Sequence, residues 1–273
     1  MKILLIGHKG LIGESIKNSL INHKVEFVNY NRLKKNHSIN YNINLFKQEY
    51  SEGTFDVCIN CAGQSKVWYS WKNPIEDIES NLILHIELMR SNLVKKNGRF
   101  IYFGSDSIFG NITPLNSYDN KIDLNSPYAI SKFAGEKYTS IYANKLSYNY
   151  SILRPSFVVG KLFSRNILYD SIVAFYNSEK FPQLHPDSKF NFIDVDDLAD
   201  YIIKSMLKGI LEEIQHVSSI NSTSYSEILN YFGEDLSKYI NFKKINRALV
   251  NDSNYKKYFD LNKFITSFRY VKD

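Results

Sequence analysis

Residues 1–20 read MKILLIGHKGLIGESIKNSL, and this stretch decides the fold. It begins with the apolar run Ile3 to Ile6, continues through three regularly spaced glycines and ends in a segment with apolar residues on one helical stripe. A strand, a glycine turn and a helix in this order form the context in which a glycine pattern predicts a dinucleotide-binding site. The spacing is G-x-x-G-x-x-G rather than the commoner G-x-G-x-x-G, and a structural turn with incidental glycines is the alternative.

Each glycine of this turn has a physical role in such a site. Gly7 allows the tight turn, Gly10 lets the backbone approach a pyrophosphate, and Gly13 lets the helix pack closely on the strand. The phosphates are expected at the start of the helix, at residues such as Leu11 and Ile12, because free N–H groups and the helix dipole favour anions there.

A second informative stretch, PYAISKFAGEKY, contains Tyr128 and Lys132. Four residues apart on a predicted helix, the two side chains share one face. A tyrosine has a reference pKa of about 10, and a nearby cation favours the phenolate and lowers this pKa. The pair therefore predicts a proton-transfer device, although an ordinary surface pair would have the same spacing.

The composition is that of an ordinary globular protein, with 273 residues, 44% hydrophobic and 23% charged. The apolar start is too short for a signal peptide and no segment is long enough to span a membrane, so we expect a cytoplasmic location and no membrane partner. The net charge of +6 suits an anionic partner such as a nucleotide. The lysines are scattered among acidic residues, which argues against nucleic-acid binding.

The two cysteines, Cys58 and Cys61, form a C-x-x-C inside the apolar run Val57 to Ala62. Without a second pair they cannot build a four-thiolate zinc site, and residues three apart on a strand point to opposite faces. We therefore expect no metal site and interpret both cysteines as small buried hydrophobic residues.

The first half of the chain alternates apolar runs with helical patterns, which predicts parallel strands joined by right-handed crossovers. The predicted strands are Lys2–Ile6, Glu26–Tyr30, Val57–Cys61, Arg99–Phe103 and Ser151–Leu153. The predicted helices lie near Gly10–Asn22, Pro74–Lys95 and Pro127–Leu146.

Two domains are predicted, because the alternation becomes irregular after Arg154. The first is a nucleotide-binding domain over residues 1–157, and the second is a smaller substrate-binding lobe over residues 158–273. Within the second range, Phe192–Val195 reads as a strand followed by an acidic helix start, so residues 191–207 are expected to return to the main domain.

The motifs, taken in chain order, resemble those of the extended short-chain dehydrogenase/reductase family, whose members are NAD(P)-dependent nucleotide-sugar epimerases, dehydratases and reductases. The resemblance covers nearly the whole chain. It implies an α/β fold with a doubly wound parallel sheet of Rossmann type and a smaller C-terminal substrate lobe. The matching pieces are GHKGLIG, DVCINCAGQSKVWYSWKNP, Asn81, IYFGSDSIFG, PYAISK, LRPSFVVG and FIDVDDLA.

The resemblance also implies the catalytic residues. Ser105, at the end of the strand that the family counts as the fifth, would hydrogen-bond the reacting oxygen. Tyr128 would be the acid or base for that oxygen, and Lys132 would bind the nicotinamide ribose and lower the Tyr128 pKa.

Further residues are assigned to the cofactor by the same resemblance. Asp56 opens the strand that the family counts as the fourth, and small residues at the end of this strand would let the backbone approach the adenosine and ribose. A pair of residues that follows the predicted strand Ser151–Leu153 would border the nicotinamide. The residues so assigned are Cys61, Ala62, Gly63, Asn81, Pro155 and Ser156.

The choice of cofactor depends on the end of the second strand. NAD-preferring relatives usually carry an acidic residue there, whereas this chain has Asn31 and Arg32. Without that carboxylate a 2′-phosphate is not repelled, and Arg32 could pair with it unless it is only a solvated loop arginine. We therefore expect NADP(H), with NAD(H) as the alternative. Asn44 and Leu45 stand where the family has an Asp-hydrophobe pair near the adenine.

The residues after Ser105 bear on the reaction. Dehydratases of the family carry Thr-Asp-Glu where this chain has Ser105, Asp106 and Ser107, so dehydration is disfavoured. The glycine turn, Arg32 and PYAISKFAG resemble the GDP-fucose synthases, whose catalytic cysteine would fall at Ser107. The run AGEKY resembles the dTDP-4-dehydrorhamnose reductases.

Three functions follow from these resemblances. Reduction of a 4-keto nucleotide-sugar needs only the three catalytic residues and the cofactor, and it is the leading prediction. The QSKVWYSWKNP segment resembles epimerases, so an NAD-dependent 4-epimerase is the alternative. A non-catalytic NAD(P)-binding regulatory or scaffold protein is the second alternative.

Many relatives have an arginine where this chain has Phe190, so the pyrophosphate contact is assigned to Lys189, Arg165 or Arg247, each of which could instead be a plain surface charge. A homodimer is expected, because the family often associates through the helices after Pro74 and Pro127. His85 and His185 stay unassigned. The other residues assigned to the nucleotide-sugar substrate are Ser65, Asp106 and Ser107.

Overall fold

The computed structural model describes residues 1–30, 39–110, 122–160, 166–244, 246–247, 255 and 257–267, with all their side chains except those of residues 39–42, 45 and 246–247. Among the described helices, none combines the length and the apolar character that crossing a bilayer requires.

The strands are numbered in chain order. They are β1 (Lys2–Ile6), β2 (Glu26–Tyr30), β3 (Phe55–Asn60), β4 (Val94–Phe103), β5 (Asn149–Pro155), β6 (Phe157–Val159), β7 (Lys189–Phe190), β8 (Phe192–Asp194), β9 (Ile214–Val217), β10 (Thr223–Ser224) and β11 (Asn246–Arg247).

The helices are numbered in the same way. They are α1 (Leu11–Asn22), α2 (Ile39–Glu49), α3 (Val67–Lys72), α4 (Pro74–Ile78), α5 (Leu84–Arg90), α6 (Pro127–Leu146), α7 (Ile167–Asn177), α8 (Val195–Leu207), α9 (Tyr225–Tyr231) and α10 (Leu261–Ser267). A π-helical turn, Glu79–Ile83, joins α4 to α5, and two 3-10 turns lie at Asp106–Phe109 and Leu236–Tyr239.

The chain forms two compact units. The first comprises residues 1–110, 124–154 and 196–215, and the second comprises the described parts of 111–123, 155–195 and 216–273. The sequence placed the boundary at residue 157 and the returning segment at 191–207. In the structure the returning segment comprises residues 196–215: residues 191–195 belong to the second unit, where β8 pairs with β6, and the segment extends to 215 because α8 leads into β9, which joins the sheet of the first unit.

The first unit is built on a six-stranded sheet in the order β2-β1-β3-β4-β5-β9. The pairs β1–β2, β1–β3, β3–β4 and β4–β5 are all parallel, so their carboxyl ends meet at one edge. The apolar runs found in the sequence are the buried strands, and Ile3 to Ile6 are almost fully inaccessible. The doubly wound parallel sheet of Rossmann type is thus confirmed.

The second unit is smaller and has an aromatic core. Its sheets are short: β7 pairs with β10 and β11, and β6 pairs in parallel with β8. Rings of Phe157, Phe190, Phe192 and Phe259 contact one another at centroid distances of 5.4–6.1 Å.

The predicted helix Pro74–Lys95 is wrong in its last turn. The helical segment ends at Arg90, and Val94 already pairs with Phe55 in the sheet. Asn92 turns the chain with a φ of 57°, a value that asparagine tolerates better than most residues do. The sequence pattern missed this turn because no glycine or proline marks it.

Asp56 lies in the third strand of the described chain, not in a fourth. The structure describes only α2 between β2 and β3, since residues 31–38 lie outside the described residues. Ser105 likewise follows β4 and not a fifth strand. Asp56 accepts hydrogen bonds from the Lys2 amide (2.6 Å) and Lys95 Nζ (2.8 Å), which ties neighbouring strands together.

A buried ion pair fastens α6 to the end of β5. Arg154 donates from Nε to Glu136 Oε1 (3.0 Å) and from Nη2 to Oε2 (2.7 Å). Gly104 permits this arrangement, because a Cβ there would overlap the Glu136 carboxylate. The pair fixes α6 against the carboxyl edge of the sheet.

Candidate active site

The glycine turn has the geometry that its spacing predicts. Gly7 has a φ of +79°, and a Cβ there would lie 2.5 Å from the Ala62 amide nitrogen. A Cβ on Gly13 would overlap the Gly7 carbonyl oxygen, far inside van der Waals contact. Gly7 therefore lets the ends of β1 and β3 approach, and Gly13 lets α1 lie directly on the turn.

Gly10 differs from the other two glycines because its missing side chain leaves open space. Of the described atoms, a Cβ there would meet only the Gly7 carbonyl oxygen, at an ordinary 3.5 Å. Gly10 is also the residue before α1, and no side chain caps this helix start. The first N–H groups of a helix have no intrahelical partner, so this surface suits an anion such as a pyrophosphate.

The start of α6 places Tyr128 and Lys132 on one face, as their spacing predicts. Ser126 caps the helix by accepting the Ala129 amide (3.2 Å), and Pro127 has the preset φ of a first helical residue. The Tyr128 amide donates instead to Ser70 Oγ, 3.1 Å away, so the first turn is also held from α3.

Ser105 lies at the carboxyl edge of the sheet, directly after β4 and its Gly104. It caps the 3-10 turn and accepts hydrogen bonds from the amide and the hydroxyl of Ser107, at 3.2 and 2.8 Å. Its hydroxyl group also lies close enough to the Tyr128 hydroxyl to lower the pKa of this tyrosine. The two hydroxyl groups assigned to the reacting oxygen are therefore neighbours.

Lys132 is a buried lysine beside this pair. Its Nζ donates to the Phe103 carbonyl (3.0 Å) and lies 6.0 Å from the centroid of the Tyr128 ring. Burial lowers the pKa of Lys132 to about 8, although the carboxylates of Asp77 and Glu136 favour its charged form. The site therefore holds a cation that is close to losing its proton under mildly alkaline conditions.

The pKa of Tyr128 is raised, not lowered as the sequence pair suggests. Burial raises this pKa well above its ordinary value, and the hydrogen bond with Ser105 offsets only part of the effect. The expectation failed because spacing places Lys132 near the ring but says nothing of burial, which favours the neutral phenol. In the free chain Tyr128 is consequently a proton donor near neutral pH.

The lowered pKa of Lys132 predicts a pH dependence of stability. Because the folded value lies below the unfolded one, the unfolded chain binds more protons above about pH 8, and stability due to this group rises with pH. Between about pH 8 and 9.5 the free energy of unfolding of the wild-type protein should rise by about 1–2 kcal/mol because of this lysine. The free energy of unfolding of Lys132→Met should not show this rise. Urea unfolding at both pH values measures this difference.

Lys137→Met is the matched control, since Lys137 is an exposed lysine on the same helix. It should keep the pH dependence of the wild-type protein. If Lys132→Met keeps it as well, the buried lysine does not have a lowered pKa.

A buried polar cluster that the sequence did not predict surrounds Asn81. Asp77 accepts hydrogen bonds from Gln64 Nε2 (2.7 Å), Asn81 Nδ2 (3.0 Å) and Ser131 Oγ (2.5 Å). The sequence does show that Asp77 is four residues before Asn81 and that Ser131 is directly before Lys132. Helical spacing does not show, however, that α4, which carries Asp77, meets α6, which carries Ser131.

His85 belongs to a neighbouring hydrogen-bond network and not to the group formed by Ser105, Tyr128 and Lys132. Its ring nitrogens bond Asn60 Nδ2 (3.2 Å) and Thr139 Oγ1 (2.7 Å), and burial lowers its pKa to about 3. Cys58 is fully buried and Cys61 is half-buried, and burial raises the pKa of both thiols. The described residues contain no group of His, Cys, Asp or Glu side chains that could hold a metal.

Several assigned residues cannot be placed in the site. Asn31, Arg32 and Arg165 lie outside the described residues. The same holds for the side chains of Leu45 and Arg247.

Of the remaining assigned residues, three have exposed side chains and two lie at and directly after the end of β5. Asn44 is exposed on α2, Ser65 is exposed in the segment after β3, and Lys189 is exposed on β7. Pro155 ends β5, and the buried Ser156 donates its amide to the Val217 carbonyl, 3.1 Å away.

The described residues fit a nicotinamide dinucleotide. Asn81 Oδ1 is buried and has no hydrogen-bond partner among the described residues, so it can accept from a ribose hydroxyl. It faces Gly63 from the same side as Lys132, because a Cβ on Gly63 would lie 2.6 Å from Asn81 Oδ1 and 3.2 Å from Lys132 Nζ. An uncapped helix start, a bare glycine surface and an unused acceptor beside a cation together match phosphates and a ribose.

This fold and this site define a dinucleotide-dependent oxidoreductase with a serine, a tyrosine and a lysine at the carboxyl edge of a parallel sheet. The chain belongs to the NAD dependent epimerase/dehydratase family, whose model matches residues 3–216. It is accordingly an enzyme that uses NAD(P), and the alternative of a non-catalytic binder is set aside.

Known proteins are similar to this chain in sequence and in fold. The chain is 26% identical over 240 residues to Protein CapI of Staphylococcus aureus, a match that covers 76% of this chain and 70% of CapI. The UDP-glucose 4-epimerase of Thermus thermophilus in complex with NAD superimposes with a TM-score of 0.72 at 17% identity, over 97% of this chain and 92% of that one. RMD from Pseudomonas aeruginosa, complexed with NADPH, gives a TM-score of 0.74 at 16% identity, over 97% and 96% of the two chains.

Proposed function

We propose that this enzyme transfers a hydride between NAD(P) and a carbon that bears the reacting oxygen of a nucleotide-activated sugar. The observation that carries the proposal is the meeting of Ser105, Tyr128 and Lys132. The Ser105 hydroxyl acts on the Tyr128 hydroxyl and lowers its pKa, and a buried ammonium lies 6.0 Å from the Tyr128 ring. General acid–base catalysis by such a positioned group contributes about 10²–10⁴-fold to a rate.

Each residue has one task at the reacting oxygen. In reduction of a ketone, Tyr128 gives its proton to the carbonyl oxygen while Ser105 donates a hydrogen bond to the same atom. The bound nicotinamide supplies the hydride. The charge of Lys132 stabilises the phenolate left on Tyr128, so proton and hydride together convert C=O into CH–OH.

We place reduction of a 4-keto nucleotide-sugar first. The support is that burial keeps Tyr128 protonated, which is the form that reduction requires. The sequence also favours NADP(H) for this reaction, through the absence of an acidic residue at Asn31 and Arg32. This preference is a prediction, since both residues lie outside the described part of the chain.

The second candidate is 4-epimerisation with a retained NAD. The observation in its favour is the family itself, together with the likeness to a UDP-glucose 4-epimerase bound to NAD. Tyr128, with Ser105 and Lys132, would then remove the proton from a hydroxyl group of the sugar. It would return the proton after the keto intermediate has rotated in the site.

The purified protein distinguishes the two candidates. For a reductase we expect it to bind NADPH exchangeably and to oxidise one NADPH per 4-keto sugar, with UDP-4-keto-6-deoxyglucose as the probe. An epimerase would instead release NAD only on denaturation and would convert UDP-glucose to its 4-epimer without net change in nicotinamide absorbance. Failure to bind either dinucleotide would contradict the whole proposal.

We also propose that two copies of the chain associate, as the sequence resemblance predicts. The support is a set of exposed apolar side chains on α3, α4 and α6. Trp71, Ile75 and Ile141 are 63%, 68% and 63% exposed, and exposed apolar side chains that are grouped on a surface suit a contact between proteins. Sedimentation velocity of the purified protein would show whether it is a dimer.

A further inference from the structure

The buried carboxylate of Asp77 has no task in the mechanism above, and its surroundings are unusual. Its side chain is 0% exposed, and it lies on the short helix α4. An ionised carboxylate in the interior is costly unless it is paired or hydrogen-bonded. Among the described residues, the donors to its oxygens are two amides and a hydroxyl, all neutral, so they satisfy the carboxylate without cancelling its charge.

Those donors come from three different segments around the catalytic lysine. Gln64 lies after β3, Asn81 lies in the π-helical turn, and Ser131 lies on α6 directly before Lys132. Ser131 Oγ also lies 3.0 Å from the Tyr128 carbonyl oxygen. The carboxylate of Asp77 thus joins the segment after β3, the π-helical turn and α6 at the point where the catalytic side chains meet.

The π-helical turn gives Asn81 two separate contacts with the site. Its backbone carbonyl accepts the Tyr102 hydroxyl at 3.0 Å, and its Oδ1 faces Gly63 beside Lys132 Nζ. The Asn81 amide can hold this orientation only while Nδ2 donates to Asp77 and to Ser131, at 3.0 and 3.2 Å. π-helical turns are frequent at functional sites.

The other acidic group near Lys132 is already neutralised by a cation. Glu136, one turn further along α6, is bound by Arg154 through both of its oxygens. Its charge is therefore shared with a guanidinium, whereas the three donors of Asp77 are uncharged.

In the described part of the chain, the remaining titratable groups that act on Lys132 or face it are neutral near pH 7. Burial raises the pKa of Cys61 after β3 and of Tyr102 on β4, so both keep their protons. Burial lowers the pKa of His85 on α5 to about 3, so its ring is uncharged. Tyr128 on α6 is also neutral, because burial raises its pKa.

From this geometry we infer that Asp77 is a positioning residue of the active site, whose uncompensated buried charge keeps Lys132 protonated while its hydrogen bonds orient Asn81. The inference rests on the proposed function only in so far as Lys132 is taken to stabilise the Tyr128 phenolate. The inference predicts that removal of the Asp77 charge makes Lys132 lose its proton at a lower pH. The same charge also favours the protonated form of Tyr128, so the tyrosine should shift in the same direction.

The test measures the pKa of Lys132 directly, in the whole protein and without substrate. NMR of the protein carrying 13C-labelled lysine follows the Lys132 side-chain signal, which is identified by its absence in Lys132→Met. In Asp77→Asn we expect the pKa of Lys132 to fall by about one unit, as for loss of a neighbouring opposite charge. The substitution keeps the shape, and the new amide can donate to Ser131 Oγ.

Glu76→Gln is the matched control. It removes one carboxylate from the adjacent position of α4, where the side chain is exposed and hydrogen-bonds Tyr69. The pKa of Lys132 should be the same in Glu76→Gln as in the wild-type protein. If Asp77→Asn fails to fold, Asp77→Ser supplies a second neutral variant, for which the same fall is expected.

A Lys132 pKa that is unchanged in the folded neutral variant, or lowered equally in Glu76→Gln, would overturn the inference. Once a substrate is known, the alkaline limb of kcat against pH should move to lower pH by about the same unit in Asp77→Asn. Absence of turnover with every nucleotide-sugar would count against the proposed function alone, because the lysine pKa is read without substrate.

Discussion

Tyr128→Phe should lower kcat by about a thousandfold, while the fold and the affinity for dinucleotide stay close to those of the wild-type protein. The substitution removes one hydroxyl, which is the proton donor of the proposed reaction and the partner of Ser105. The aromatic ring stays buried, so packing at the start of α6 is preserved. Turnover of the identified sugar and a fluorescence titration with NADPH measure the two quantities separately.

Tyr138→Phe provides the comparison on the same helix. Tyr138 is 40% exposed and lies more than two turns from the catalytic tyrosine, so removal of its hydroxyl should leave kcat unchanged. If Tyr128→Phe retains more than about a tenth of wild-type turnover, another group must supply the proton and the mechanism proposed here is incorrect.

Gly13→Ala should abolish dinucleotide binding and destabilise the fold by about 1–3 kcal/mol or more, the range for overpacking. The added methyl would overlap the Gly7 carbonyl oxygen, and that oxygen belongs to a turn that cannot move without parting β1 from β3. Helix propensity predicts the opposite sign, because alanine stabilises a helix interior by about 1 kcal/mol over glycine. Thermal and urea unfolding decide which effect is larger.

Gly10→Ala separates binding from stability in the same turn. Among the described residues its methyl would meet only the Gly7 carbonyl oxygen, at 3.5 Å, so the free energy of unfolding should fall by no more than about 1 kcal/mol, the loss of a glycine N-cap. The methyl would occupy the surface assigned to the pyrophosphate, and dinucleotide affinity should fall at least about tenfold, or about 1.4 kcal/mol. Equal affinity in Gly10→Ala and the wild-type protein would place the phosphates elsewhere.

The parts of the site that depend on local spacing were predictable. The helix Pro127–Leu146 has the predicted bounds, because Ser126 and Pro127 form a strong start and its last turn leads to Ser147 with a φ of 58°. The glycine turn was predictable for a similar reason. A positive φ at Gly7 and the contact of Gly13 with Gly7 involve residues within two turns of each other.

The parts that depend on distant segments were not predictable. Asp77 is fifty-four residues from Ser131, yet the two share a hydrogen bond in the site. The helix of Asp77 was predicted as one regular segment, and its π-helical turn, which directs Asn81, leaves no mark in the apolar pattern. Cofactor preference is a third example, since it rests on Asn31 and Arg32 outside the described residues.

The sequence by itself determined the order of strands and helices, the glycine turn and the one-turn spacing of Tyr128 and Lys132, because each depends on residues that are neighbours along the chain. Only the tertiary structure decided the charge states of that pair. Burial raises the pKa of Tyr128 and lowers that of Lys132 to about 8, and Asp77, the carboxylate that most opposes the second shift, comes from α4. A pKa depends on exclusion of water and on charges from every neighbouring segment, and spacing along one helix carries neither.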